Sequence, residues 1–293
     1  MITPATEMAR PHTPPATPTT GLRLAAAYEW HHLKGLRSTW IILITVGVLA
    51  IGNGVSLMLA SDAQTAPTPA AVADAIQWSP TATQLPLLAL ILITIGTGSV
   101  STDLTRKGAS TTWLTTTSRP IAFAAKAAVA SLLVTAAAMA TALIAISVGA
   151  LALAFGGGPQ PAWADALPAT GRYALVMACW PLIAASTAAL LRNRTATVLA
   201  LVTWPLIIER ITGALLGRLL GAEGLPGFLP FAAARAAMSG APDTGDGADA
   251  DAALNQALIG STLQPWTGLA VYMLYALVIA ATGAWSYSRR DAP

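Results

Sequence analysis

The chain has 293 residues, of which 55% are hydrophobic and only 10% charged, with a net charge of +3 and a mean hydropathy of +0.61. A soluble globular chain carries about a quarter charged residues, so too few are present here to coat a water-exposed surface, and the balance falls to a membrane protein. The basic excess does not point to nucleic acid, because the cations sit singly at the ends of apolar runs and form no continuous patch.

Residues 1–20, MITPATEMARPHTPPATPTT, are rich in Pro and Thr and lack an apolar core, so they read as a disordered tail and not as a signal peptide. The remainder, residues 21–293, reads as a single membrane domain. Its first segment, LRLAAAYEWHHLKGLRS at 22–38, predicts an amphipathic helix lying along the inner membrane surface. Leu22, Ala26, Trp30, Leu33, Leu36 and Trp40 gather on one side of the wheel, with Arg23, His31 and Lys34 elsewhere and Arg37 at the end. Glu29 falls near the middle of the apolar side, where a carboxylate needs a nearby Arg or Lys, or a partner protein. The adjacent His31 and His32 point about 100° apart, so with His12 they make no metal site.

Six apolar runs come next, each close to the roughly 20 residues that cross a bilayer core of about 30 Å. They cover 40–60, 83–100, 121–155, 173–191, 195–220 and 266–287. The third is long and Ala-rich, so it tilts or projects beyond the bilayer. With the N-terminus inside, twelve of the sixteen basic residues fall on the inner side, and eight of the thirteen acids on the outer side. That asymmetry predicts a multi-pass protein of the cell membrane with both termini cytoplasmic, because five or seven spans would move Arg289 and Arg290 across.

The motifs of soluble chemistry do not occur. There is no G-x-x-x-x-G-K-[ST], H-E-x-x-H, C-x-x-C or G-x-S-x-G, so neither a nucleotide site nor a catalytic residue is indicated. The single cysteine, Cys179, reads as a small hydrophobe. Glu209 and Arg210 stand out inside the fifth run, WPLIIERITGALLGRLLG; their depth places them near the outer interface or against a polar cavity there. In the same run Gly213, Gly217 and Gly221, four apart, form a small-residue stripe for packing within the chain or against a second copy. Residues 224–260 are too broken by Gly and Pro to span, and their first part is apolar enough to lie in the interface or re-enter. The aspartates at 243, 246, 249 and 251 do not match a calcium loop and read as a solvated stretch.

Half of residues 101–120, STDLTRKGASTTWLTTTSRP, are Ser or Thr. Thr102 or Asp103 can cap a short helix carrying Arg106, Lys107 and Trp113, and Pro120 suits the first turn of the next span. The competing reading is a polar loop whose cations hold anionic lipid heads. Three stretches decide between these: YEWHHLKGLRSTW at 28–40, RKGASTTWLTTTSRPIAFAAK at 106–126, and WPLIIERITGALL followed by LPGFLPFAAA at 204–234. Together they resemble the membrane subunit of an ABC-2-type transporter. That resemblance implies an all-α fold with an N-terminal interfacial helix and six spans. It also implies a coupling helix at 101–118 and a re-entrant outer segment between spans five and six. It further implies two permease copies working with two copies of an ABC ATPase, which bind the ATP and magnesium, while this chain carries no cofactor and is not an enzyme. Asp103, Arg106, Lys107, Thr111, Thr112 and Trp113 are the matching docking positions. The expected activity is export of a hydrophobic or amphipathic compound such as a drug, lipid or peptide. The alternative is a non-ABC membrane protein: a sensor, an assembly factor, or a secondary transporter, the last of which calls for inverted repeats and several buried ionisable groups.

Overall fold

The computed structural model describes residues 18–60, 65–78, 85–105, 118–221, 224–239 and 263–289. These are helices and their connections, with no strand among the described residues. Helix α1 (Pro18–Gly35) begins inside the stretch expected to be a tail, with Pro18 at its first position. It breaks at Leu36, and α2 (Arg37–Ala60) begins at once. The corner is fastened by Trp40, whose indole donates to the Lys34 carbonyl at 2.9 Å. A short helix, α3 (Pro69–Gln77), is capped by the Thr68 hydroxyl and ended by Trp78 in the left-handed region at φ 53°.

Helix α4 (Leu87–Thr105) corresponds to the second apolar run. Thr102 and Asp103 stay inside its closing turns, so neither starts a new helix there. Helix α5 (Arg119–Gly156) has 38 residues. At 1.5 Å per residue that is roughly 57 Å, well beyond a hydrocarbon core, as the long third run implied. Gly157 ends it at φ 70°. A 3₁₀ turn (Trp163–Ala166) leads into α6 (Leu167–Leu191), which starts six residues before the expected boundary of 173. A two-residue corner, Arg192 and Asn193, returns the chain: the Asn193 side chain accepts from the amides of Thr195 and Ala196 at 2.9 and 3.2 Å. Helix α7 (Arg194–Thr203), a π turn (Trp204–Ile208) and α8 (Glu209–Leu220) form one continuous rod. A second 3₁₀ turn (Leu225–Phe228), a short helix α9 (Pro230–Met238) and α10 (Pro265–Ser288) complete the described chain.

Among the described residues, five segments are long and apolar enough to cross a membrane: Arg37–Leu59, Arg119–Gly156, Trp163–Leu191, Arg194–Gly217 and Pro265–Ser288. The apolar part of α4 is shorter, Leu87–Gly98, because the helix ends in the polar sequence SVSTDLT. The protein is therefore an all-α, membrane-embedded molecule.

Helix α6 is the centre of the bundle. It packs against α4, α5, α9 and α10 and buries Tyr173, Val176, Met177, Trp180 and Ile183. The Trp180 indole donates to the Ala89 carbonyl of α4 at 2.7 Å. Polar residues survive in this apolar setting by bonding back to their own helix: Thr97 to Ile93, Thr170 to Ala166 and Ser186 to Leu182, at 3.0, 2.9 and 2.7 Å. On the periphery, α2 presents Ile41, Ile44, Val48 and Ile51 outward, the pattern expected where lipid and not water is the solvent.

The two ends of the bundle differ. At one end α1 lies on the first turns of α5, and the tail of α10 is beside them: Arg119 donates to the Ser288 carbonyl at 3.3 Å, and Phe123 and Tyr287 rings sit 5.5 Å apart. Residues 18–35 and 288–289 therefore share one end. The opposite end gathers α3, the two 3₁₀ turns and α9.

Candidate functional site

Helix α9 has the sequence PFAAARAAM, and every residue from Phe231 to Met238 is buried. Its sequence offers no Ser, Thr, Asp or Asn at the N-cap; Leu229, extended at φ −66°, ψ 148°, occupies that place. A buried helix cannot leave its first amides to water, so they must be satisfied from elsewhere. Glu209 of α8 does this. Its carboxylate accepts from Phe231 N at 3.1 Å and from Ala232 N at 2.6 Å, one oxygen to each, and the residue is 2% exposed.

The other end of α9 is closed with the opposite charge. Arg172 of α6 donates from Nε to the Ala237 carbonyl at 2.6 Å and from Nη2 to the Ser239 carbonyl at 2.9 Å. Its guanidinium also lies 5.5 Å from the Trp266 ring. Gln77 of α3 donates to the Met238 carbonyl at 2.7 Å. Midway along the helix, Arg235 reaches Asp74 of α3 at 3.1 Å. Burial pushes the Asp74 carboxyl above its ordinary range, against the opposing pull of the Arg235 guanidinium. A carboxylate at the positive end and a guanidinium at the negative end of a helix each contribute about 1–2 kcal/mol where water is scarce.

The sequence prepares this seat in two ways. The alanines keep α9 slim, and Gly268 of α10 lets it approach. A Cβ at Gly268 would meet the Ala233 carbonyl oxygen at 2.6 Å and Ala237 N at 3.0 Å. Gly268→Val is expected to lower the apparent unfolding temperature by several degrees, in line with about 1–3 kcal/mol of overpacking. Gly52→Val is its control, since a Cβ at Gly52 meets nothing within 4 Å. Thermal unfolding of the two purified variants checks this. The second device is the π turn before Glu209. Pro205 cannot donate a backbone hydrogen bond, and one extra residue in the turn rotates α8 by about 100°, which carries Glu209 to the inner side.

A second buried charge pair marks the α1 end. Glu29 (3% exposed) and Lys126 (4% exposed) form an ion pair between α1 and α5. The carboxylate isolated on the apolar side of α1 thus finds a lysine, one of the alternatives the sequence left open. The contact stripe of α1 is Gly21, Ala25, Glu29 and Leu33, one residue displaced from the apolar side of the wheel. Trp30, Lys34 and Arg37 are exposed.

The remaining expected positions divide. Gly213 and Gly217 face the chain's own 3₁₀ turn: their Cβ positions lie 3.4 and 3.7 Å from Pro226. This is the intrachain form of the seam. Gly221 does not belong to it, since at φ 58° it ends α8 in the left-handed region. Arg210 is half-buried, one helical step around from Glu209. Asp103 sits near the end of α4, and Arg106, Lys107, Thr111, Thr112 and Trp113 lie outside the described residues, as do the aspartates at 243, 246, 249 and 251. Sequence reasoning missed Gln77, Asp74, Arg172 and Arg235 as a set; the charge count places Asp74 among the outer acids and leaves the two arginines off the inner side. A cation amid the alanines of AAARAA was the available sign.

No protein-family model matches the chain, and no curated protein matches it in sequence.

Proposed function

We propose that this chain is the membrane subunit of an ATP-driven ABC-2-type transporter. The observation that carries the reading is α9: a short helix that turns back into the bundle between the last two long apolar segments. It is the re-entrant segment that the family resemblance calls for. Three further features support it. α1 lies across the start of α5 at the opposite end, as an interfacial helix would. Beside the five longer segments, the apolar turns of α4, Leu87–Gly98, are the sixth crossing in this reading. Helix α4 closes with Val100 packed beside Phe123 and Tyr287, so it ends, and α5 begins, at the α1 end.

In this reading the α1 end is cytoplasmic, and two copies of the chain stand over two copies of an ABC ATPase. ATP and magnesium bind there, and their binding biases one arrangement of the spans over another. Asp103, Arg106, Lys107, Thr111, Thr112 and Trp113 present the docking surface. The interior is apolar apart from a few engaged charges, which suits a hydrophobic or amphipathic cargo moved outward.

The test is biochemical. The chain isolated from its native membrane should bring with it an ATPase bearing a G-x-x-x-x-G-K-[ST] loop. The double variant Arg106→Glu with Lys107→Glu should abolish permease-stimulated ATP hydrolysis and transport while the unfolding temperature stays at the wild-type value. Unchanged stimulation in the purified complex defeats the assignment.

A further inference from the structure

Helix α1 carries one carboxylate, Glu29, and it is turned inward onto Lys126. The nitrogen-bearing side chains that remain on it turn outward: Arg23, His31, His32 and Lys34 are all exposed, and Arg37 follows at the corner. Beside them stand exposed apolar side chains, Leu24 at 65%, Tyr28 at 59% and Trp30 at 42%. Tyr28 and His32 stack, with ring centroids 6.4 Å apart and planes 7° from parallel.

This surface is continuous with a membrane span. α2 starts two residues after α1 ends, and its outward residues Trp40, Ile41 and Ile44 are exposed aliphatics and an indole suited to lipid. The Trp40–Lys34 hydrogen bond holds the corner where the apolar stretch of α2 begins, and an indole there is the side chain that favours headgroup depth. Cations mixed with aromatic and aliphatic side chains at that depth face phosphate and glycerol.

We propose that the outward face of α1 binds the anionic headgroups of the phospholipid bilayer. Arg23, Lys34 and Arg37 supply the charge, and Leu24, Tyr28 and Trp30 supply the anchor. The Glu29–Lys126 pair is what makes the face selective for charge. It removes the one group on α1 that would repel a phosphate, and it fixes the helix to α5 so that the cations all look outward. Negative lipid therefore gathers at α1 beyond its average share of the bilayer, and salt screens that enrichment. The inference rests on α1 being a surface helix; it does not depend on the ATPase partner.

The experiment uses the full chain in phosphatidylcholine nanodiscs. Cys179, the single cysteine, is replaced by Ser, and a fluorophore is placed at Ala27→Cys, an exposed position outside the basic set. Trace headgroup-spin-labelled phosphatidylglycerol or phosphatidylcholine then acts as quencher. The expected result is stronger quenching by the anionic lipid, a ratio that falls towards one as salt is raised, and a matching fall in the variant Arg23→Gln with Lys34→Gln and Arg37→Gln. Equal quenching by both lipids overturns the charge recognition and leaves α1 at the surface. Quenching by neither overturns the surface placement itself. Because the salt series needs only the charge-unaltered protein, the proposal stands or falls even if the triple variant folds poorly.

Discussion

Lys126→Met is expected to lower stability by about 3–5 kcal/mol, because it leaves the Glu29 carboxylate buried without its counter-charge. For a chain of this size that corresponds to a fall of roughly 5–8 °C in the apparent unfolding temperature. The two partners are 3% and 4% exposed, so the pair is held away from water. The reciprocal variant, Glu29→Gln, is expected to cost less. A lysine can swing its four-carbon stem and carry its ammonium towards headgroups, whereas a glutamate on the contact stripe of α1 has a shorter reach. The double variant Glu29→Leu with Lys126→Met should recover most of what Lys126→Met loses, since an apolar pair of similar size avoids desolvating either charge. Thermal unfolding of the three variants in one detergent completes the cycle. Wild-type unfolding in Lys126→Met would mean that α1 is not docked on α5 through this pair.

Most of the long helices could be read from the chain because the signal is local. Each apolar run maps onto a helix: 40–60 onto α2, 121–155 onto α5, 266–287 onto α10. Boundaries moved where a charge intervened. Arg172 lies just before the fourth run, yet α6 starts six residues before Tyr173 and carries Arg172 inward to the carbonyls of α9. Taken as an outer charge, Arg172 gave no hint that its partners lay 65 and 67 residues away. Likewise Asp74 and Arg235 are 161 residues apart, and so are Gln77 and Met238. Periodicity cannot report such pairings. α9 itself illustrates the limit: LPGFLPFAAARAAM reads as broken by Gly and Pro, and those residues do break it, into a 3₁₀ turn and a helix. That the helix is buried depends on caps that α3, α6 and α8 provide.

The chemistry at the N-terminal cap of α9 makes Glu209 the most sensitive residue at that end of the bundle. Glu209→Ala strips two buried amides, those of Phe231 and Ala232, of their acceptors at once. Each orphaned buried donor costs about 1–3 kcal/mol, so a loss of about 2–6 kcal/mol is expected, together with the carboxylate's favourable contact with the helix dipole. Glu209→Gln keeps one good acceptor and the side-chain length, and should lose about half as much. The effect should also be local before it is global. Amide hydrogen exchange across residues 230–238 should rise in Glu209→Ala, most at Phe231 and Ala232, while exchange in α2 and in the first turns of α5 stays at the wild-type rate. Arg172→Met, which opens the other end, should raise exchange most in the last turn of α9 and leave the first turn near wild type. If the two variants loosened α9 uniformly, the helix would be held by its alanine packing on Gly268 and not by the charges at its ends. If Glu209→Ala left both exchange and unfolding unchanged, the carboxylate would not be the cap.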